Sequence, residues 1–100
     1  MIVLFDPDAI ADLEQLHEWI EGEADIAIAD AYLTRVRAAC EKLTIFPARG
    51  SPREDLGAGL RSISFENRRL IIYRIEPEVV RVVRVMYGGR DLEQAFGLRT

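Results

Sequence analysis

The sequence of 100 residues contains little of several residue types on which common activities depend. It has one cysteine, Cys40, so no disulfide can form within the chain, and a reducing compartment is favoured. It has one histidine, His17, so no cluster of cysteine and histidine can enclose a structural zinc ion. We therefore expect a protein with no bound metal and no cofactor.

Long apolar segments are also missing. The longest apolar runs, such as Ile2–Phe5, have the length of a β-strand and fall short of the roughly 18 consecutive apolar residues that a membrane span requires. The N-terminus lacks the basic segment, apolar stretch and small-residue cleavage site of a signal peptide. These absences predict a cytoplasmic protein with no membrane partner.

Lysine is nearly absent, since twelve of the thirteen basic residues are arginine. Guanidinium groups suit paired, stacked or buried contacts, so this composition indicates recognition or internal pairing, although a GC-rich genome would produce the same bias. Residues 1–46 hold ten acids against three bases, a charge of −7, whereas the remainder holds seven acids against ten arginines, a charge of +3. The overall charge of −4 argues against general nucleic-acid binding, so contact with nucleic acid is expected only indirectly.

Residue patterns for common catalytic chemistry are weak. The segment Gly57–Gly59 lacks the following helix and the lysine of a phosphate-binding loop. A serine hydrolase needs a base beside its nucleophile, but His17 lies far in sequence from Ser51, Ser62 and Ser64. Most carboxylates lie on the polar side of a predicted helix, where they are solvated. The sequence therefore predicts no catalytic residues.

The first half of the chain predicts a strand and two helices. Ile2–Phe5 reads as a strand, after which Asp6 is placed to cap a helix whose first residue is Pro7. This helix is expected to end at Gly22. Apolar residues then recur every three or four positions from Asp25 to Phe46, which predicts a second helix that Pro47 stops. A short connection makes the two helices an antiparallel hairpin with an acidic outer face. The apolar positions assigned to the second helix are Ile28, Tyr32, Val36, Ala39, Leu43 and Phe46.

The second half predicts a loop followed by three strands. Residues 48–59 have the composition of a loop, and the hydrophobic period then changes to two. The strand candidates are Leu60–Phe65, Arg69–Glu76 and Val79–Tyr87, and their short connections favour an antiparallel meander. Gly88 and Gly89 end the last strand, and residues 90–100 form a short C-terminal tail.

These elements define a single domain over residues 1–100 with an α+β fold in the order β-α-α-β-β-β. We expect the helical hairpin to pack on one face of a mainly antiparallel four-stranded sheet. The other face is then partly open, and a partner or substrate would bind there. The apolar content of the strands also exceeds what two helices can cover, which favours a protein partner.

Arginines near the sheet remain as candidates for a functional surface. Guanidinium groups bind phosphates and carboxylates well, but without a proton acceptor they bind better than they catalyse. An alternative is that Arg81 and Arg84 pair internally with acids such as Glu76, Asp91 or Glu93. The arginines in this part of the chain are Arg61, Arg68, Arg69, Arg74, Arg81, Arg84 and Arg90.

Residues 2–92 resemble the ParE branch of the RelE/ParE toxin superfamily in four stretches. Asp6–Ile20 is similar to the opening helix of the family, and Phe46–Gly50 to the proline and glycine that follow its second helix. Asp55–Arg61 resembles the segment that leads into the next strand. The most specific match is in the closing strands, Leu70–Ile75 and Val83–Asp91, the latter ending in glycines followed by Arg-Asp.

The resemblance implies the toxin of a type II toxin–antitoxin system that stabilises a plasmid or chromosomal locus. It implies a cognate ParD-like antitoxin as partner and DNA gyrase as target, since ParE toxins poison gyrase whereas RelE toxins cut messenger RNA on the ribosome. RelE-type cleavage would use Arg61, Arg69 and Arg90. However, Phe96 stands where RelE toxins often have a tyrosine, and Tyr87 stands where the family often has histidine. A phenyl ring cannot transfer a proton, which favours the nonenzymatic branch.

Three functions are therefore open. The first is a toxin that inhibits gyrase by binding, the second is a ribosome-dependent endoribonuclease, and the third is an antitoxin-binding module that has lost toxicity. The candidate contacts for target or antitoxin are Arg61, Arg69, Arg84, Tyr87, Arg90 and Phe96.

Overall fold

The structure, a computed structural model, describes residues 1–66, 69–87 and 90–97. A 3₁₀ helix covers Pro47–Arg49. The α-helices are α1 (Pro7–Glu23), α2 (Ile26–Lys42) and α3 (Arg90–Ala95), and the strands are β1 (Ile2–Phe5), β2 (Ser51–Pro52), β3 (Leu60–Phe65), β4 (Arg69–Glu76) and β5 (Val79–Tyr87).

The two long helices begin at the residues that the sequence predicts. Pro7 opens α1 after Asp6, but the Asp6 side chain makes no capping hydrogen bond and instead accepts one from Arg81. The Asp25 side chain caps α2 by accepting a hydrogen bond from the amide of Ile28. The helix α1 ends one residue beyond Gly22, at Glu23.

The predicted end of the second helix is wrong. After Lys42 the backbone amides of Leu43, Thr44 and Ile45 each bond to the carbonyl three residues earlier, so the helix tightens into a turn. Leu43 remains fully buried, but Phe46 is exposed. The apolar spacing therefore continues past the residue at which the backbone stops being α-helical.

The sheet confirms the α+β prediction and contains one more strand than expected. Its order is β1-β5-β4-β3-β2, with β1 parallel to β5 and the other neighbours antiparallel. The predicted bounds of β3, β4 and β5 are confirmed. The fifth strand, β2, has two residues, which pair with Ser62 and Arg61 of β3.

Both faces of the sheet carry a hydrophobic core. On one face α1 and α2 pack against the sheet through residues that include Leu13, Val36 and Ile71. Because strand side chains alternate, Ile72 points to the opposite face, where Leu92 of α3 and Leu56 of the loop before β3 pack against it. The face that was predicted to be partly open therefore carries a small core of its own. Among the described residues no helix is long and apolar enough to cross a membrane.

Candidate functional site

Arg61 lies in β3 and holds the segment around the 3₁₀ helix. Its Nη2 atom donates hydrogen bonds to the carbonyl oxygens of Ala48, at 3.0 Å, and Gly50, at 2.7 Å. The same segment is held by Tyr73, whose hydroxyl donates to the Pro47 carbonyl and accepts from the Gly50 amide. The Nη2 atom of Arg61 is therefore bound by backbone carbonyls, whereas its buried Nε atom has no hydrogen-bond partner among the described residues.

Arg84 lies in β5 and forms an ion pair with Asp12 of α1. Its Nε and Nη2 atoms donate to the two carboxylate oxygens at 2.8 and 2.9 Å, and the neighbouring amide of Val85 donates to Oδ2 at 3.0 Å. Hydrogen bonding to Asp12 raises the pKa of Arg84 above its ordinary value. Arg84 thus joins the first helix to the last strand.

Arg81 confirms one of the internal pairs expected from the sequence. Its Nε atom donates to the carboxylate of Glu76, and its Nη1 atom donates to Asp6 at the start of α1. The partner of Arg84 was not foreseen, because Asp12 was assigned to the polar, solvated face of the first helix.

Arg69 and Tyr87 form a stacked pair at the ends of β4 and β5. The guanidinium carbon of Arg69 lies 3.6 Å from the centre of the Tyr87 ring, close enough for a cation–π contact. Tyr32 of α2 lies nearby: its pKa is raised by burial, while Arg69 opposes the shift. Stacking leaves the edge of a guanidinium available to acceptors in its plane.

The remaining two predicted contacts lie in α3 and just after it. Arg90 is the first residue of α3, but its side chain lies outside the described residues. Phe96 packs against the hydrophobic core on the face opposite α1 and α2. The predicted contacts are therefore distributed over more than one part of the molecule.

A groove beside α1 brings together Arg69, Tyr87 and a residue that the sequence analysis did not single out, Trp19. It consists of two adjoining depressions of about 500 and 770 Å³ that share Leu16, Trp19, Arg69 and Tyr87. We call it the Trp19 groove. The side chain of Trp19 is 56% exposed and that of Tyr87 39%. The signal in the sequence was the single tryptophan within the otherwise charged face of α1.

A second groove lies on the other flank of α1, along the edge strand β1. It has a volume of about 700 Å³, and its apolar lining includes Leu4, Ile10 and Leu33. We call it the β1 groove. His17 lines it and links α1 to α2 by a hydrogen bond of 2.7 Å from Nε2 to the Asp30 carboxylate. Within this groove the side chains of Leu4 and Ile10 are exposed.

Cys40 is a core residue, as predicted. It is fully buried in α2, and burial raises the pKa of its thiol to about 12, so the reactive thiolate is scarce at neutral pH. In the part of the chain that the structure describes, no group of three or more His, Cys, Asp and Glu side chains is arranged to hold a metal ion.

Comparison with known proteins gives consistent matches. A family model described as the ParE toxin of the type II toxin–antitoxin system parDE matches residues 3–92. The chain is 29% identical to Toxin ParE3 of Caulobacter vibrioides over 89 residues, and this alignment covers 89% of this chain and 88% of that protein. A solved structure described as the chromosomal ParDE TA system from P. aeruginosa has a similar fold, with a TM-score of 0.77 and 16% identity over 89% of this chain and 97% of the other.

Proposed function

The chain belongs to the ParE toxin family of type II toxin–antitoxin systems, and from this premise we propose that it inhibits DNA gyrase by binding and that a cognate ParD-like antitoxin neutralises it. The family match over residues 3–92 is the observation that carries the proposal. It agrees with the resemblance found in the sequence, and the similarity to Toxin ParE3 supports it.

The contacts of Arg61 and Arg69 favour a toxin that binds a protein over one that cleaves RNA. A ribonuclease of the RelE type would direct Arg61 and Arg69 at the scissile phosphate, but Arg61 donates to two backbone carbonyls and Arg69 stacks on Tyr87. Redirecting Arg61 would leave the carbonyls of Ala48 and Gly50 without these donors, which costs free energy. A stacked guanidinium beside exposed aromatic rings is instead typical of protein interfaces.

For the antitoxin we propose the β1 groove. The strand β1 is at the edge of the sheet, so its outer backbone groups have no neighbouring strand among the described residues. The side chains of Ile2 and Leu4 on β1 and of Ile10 on α1 are exposed. An antitoxin segment that covers these side chains would remove apolar surface from water, which is the main source of affinity in stable interfaces.

The test measures gyrase inhibition and its relief. Purified toxin is added to gyrase, relaxed plasmid and ATP, with and without the antitoxin, and supercoiling is followed on gels. We expect supercoiling to fall as toxin is added and to recover when antitoxin is added in equal amount. In cells, induction of the toxin alone should cause DNA damage, whereas co-induction of the antitoxin should prevent it.

Two outcomes would contradict this proposal. Codon-linked cuts in messenger RNA with supercoiling unaffected would indicate a ribosome-dependent endoribonuclease. Overexpression of the toxin alone that leaves growth unchanged, from a protein that still binds the antitoxin, would indicate an antitoxin-binding module without toxicity.

The variant Leu4→Glu tests the antitoxin site, because it places a charge in the apolar β1 groove. It should abolish co-purification with the antitoxin while gyrase inhibition persists.

A further inference from the structure

The two grooves lie on opposite flanks of α1. Ile10 and His17 line the β1 groove, whereas Gln15 and Trp19 line the Trp19 groove. Between them the buried face of α1 packs on the sheet. A partner bound in one groove therefore need not occupy the other.

The Trp19 groove contains an open strand edge. The strand β1 pairs with β5 only as far as Val82, so Arg84–Tyr87 continue beyond the end of β1, and β4 is their one neighbouring strand in the described part of the chain. The Val85 amide points away from β4, since it donates to Asp12. In an extended strand the amide and the carbonyl of one residue point to the same side, and so does the amide two residues later. The Val85 carbonyl and the Tyr87 amide therefore face the groove, where an extended segment can pair with them.

Among the described residues that line this groove, one cation is left without a paired acid. Asp12 and Arg84 neutralise each other, and Glu66 is paired with Arg35, which lowers the pKa of the Glu66 carboxyl. Among the described residues no carboxylate forms an ion pair with Arg69. A carboxylate brought in by a partner would complete the charge balance of the groove.

We propose that the Trp19 groove binds the protein target of the toxin and takes an extended segment of it that carries a single carboxylate. In this arrangement a carboxylate of the segment pairs with Arg69, a neighbouring apolar side chain packs against Trp19 and Tyr87, and the backbone extends the sheet at β5. The inference rests on the proposed function, namely that the chain acts by binding a target. It adds where the target binds and with what chemistry.

The surroundings of the groove favour a protein segment over nucleic acid. Glu18 and Glu23 lie beside Trp19 on α1, in a half of the molecule that carries excess negative charge. Nucleic-acid binding depends on several cations that neutralise successive phosphates, whereas the described residues of this groove offer one guanidinium without a paired acid, which suits a segment with one carboxylate better than a run of phosphates. One guanidinium stacked on a ring, flanked by exposed tryptophan and tyrosine, has the composition of a protein-binding hot spot.

The experiment compares variants of the groove for growth arrest, antitoxin binding and thermal unfolding. Trp19→Ala and Arg69→Gln are paired with controls of the same kind outside the groove, Phe46→Ala and Arg49→Gln, and the side chains of both control residues are exposed. We expect the groove variants to raise the toxin level needed for growth arrest by about tenfold or more, the loss typical of a hot-spot residue. The controls should stay within about twofold, and all four variants should still co-purify with the antitoxin.

A pair of substitutions at the exposed Gln15 tests the charge of the partner with little risk to folding. Gln15→Glu puts a negative charge in the groove and should weaken growth arrest, whereas Gln15→Lys should maintain or strengthen it. Equal toxicity of these two variants, or groove variants as toxic as the wild type, would overturn the proposal. Two further results would overturn it. In the first, folded groove variants lose antitoxin binding together with toxicity. In the second, the wild type arrests growth by cutting RNA and the groove variants have lost that cleavage.

The design separates this inference from the gyrase proposal. Growth arrest measures toxicity whatever the target is, so a wild-type protein that arrests growth without affecting supercoiling contradicts the gyrase proposal alone. In that case the groove variants still decide the inference. A wild-type protein that does not arrest growth would contradict both.

Discussion

At the scale of single residues, Asp12 shows how one carboxylate can replace a missing strand. Beyond Val82, β5 has no β1 residue opposite it. The Val85 amide, which points away from β4, donates to Asp12 instead, and Asp12 also accepts two hydrogen bonds from Arg84. The carboxylate is only 12% exposed, so water cannot readily take over these bonds. Its role is therefore to fix α1 against β5, and it also forms one wall of the Trp19 groove.

We expect Asp12→Ala to lower the free energy of unfolding by about 2–4 kcal/mol, because it leaves the Arg84 charge half-buried without its partner and the Val85 amide without an acceptor. Asp12→Asn should cost less, since its side-chain oxygen can still accept from Val85. Urea denaturation followed by circular dichroism measures both. Glu14→Ala, an exposed acid on the same helix, is the control and should change the value by less than about 0.5 kcal/mol. A similar small change in Asp12→Ala would contradict the role given to this carboxylate.

At the scale of elements, the segment between α2 and β3 is held by side chains of the sheet. It contains the 3₁₀ helix Pro47–Arg49 and the short strand β2, which together have few backbone bonds of their own to the sheet. Tyr73 of β4 and Arg61 of β3 bond to its backbone. A side chain at Gly50 would clash, since a Cβ atom there would lie 2.5 Å from the Tyr73 hydroxyl and 2.7 Å from the Ser62 carbonyl. The shape of this connection thus depends on the strands behind it.

Tyr73→Phe should destabilise the protein by about 1–3 kcal/mol, because the buried Gly50 amide and the Pro47 carbonyl both lose their partner. The amide of Gly50 should also exchange with deuterium faster than in the wild type, which nuclear magnetic resonance can follow. Tyr87→Phe removes the hydroxyl of an exposed tyrosine and should leave stability within about 0.5 kcal/mol. Unchanged exchange at Gly50 would show that the hydroxyl does not hold this segment.

At the scale of the whole molecule, the sheet separates two cores of different size. The larger core joins α1 and α2 to the sheet and includes the fully buried Ile71. The smaller core lies on the opposite face, where α3 contributes Leu92. Stability should therefore depend more on the helical hairpin than on α3.

We expect Ile71→Ala to lower the free energy of unfolding by about 3–4 kcal/mol and Leu92→Ala by about 2 kcal/mol, since a cavity costs less where the surroundings can collapse into it. Chemical denaturation of the two variants checks the order. Exposed Ile45→Ala is the control and should have little effect. If Leu92→Ala is the more damaging change, the smaller core is the dominant one and the account of the two cores is wrong.

The sequence by itself determined most of the elements, because their signals are local. Alternating apolar residues predicted β3, β4 and β5 at their observed bounds, and Pro7 and Asp25 marked the two helix starts. The two-residue strand β2 was missed because Ser-Pro carries no strand pattern, and it forms only because β3 offers a partner. The resemblance to the ParE family was also readable from the residues, and the family match confirms it.

The candidate site was decided by the tertiary structure. Asp12 and Arg84 are separated by 72 positions, and no local pattern indicates that a helix carboxylate will meet that strand arginine. Likewise, no local pattern indicates that Trp19 will line one groove with Arg69 and Tyr87. Hydrophobic period and turn residues act over a few neighbouring positions, whereas the pairing of charges and the lining of grooves depend on which elements the fold brings into contact.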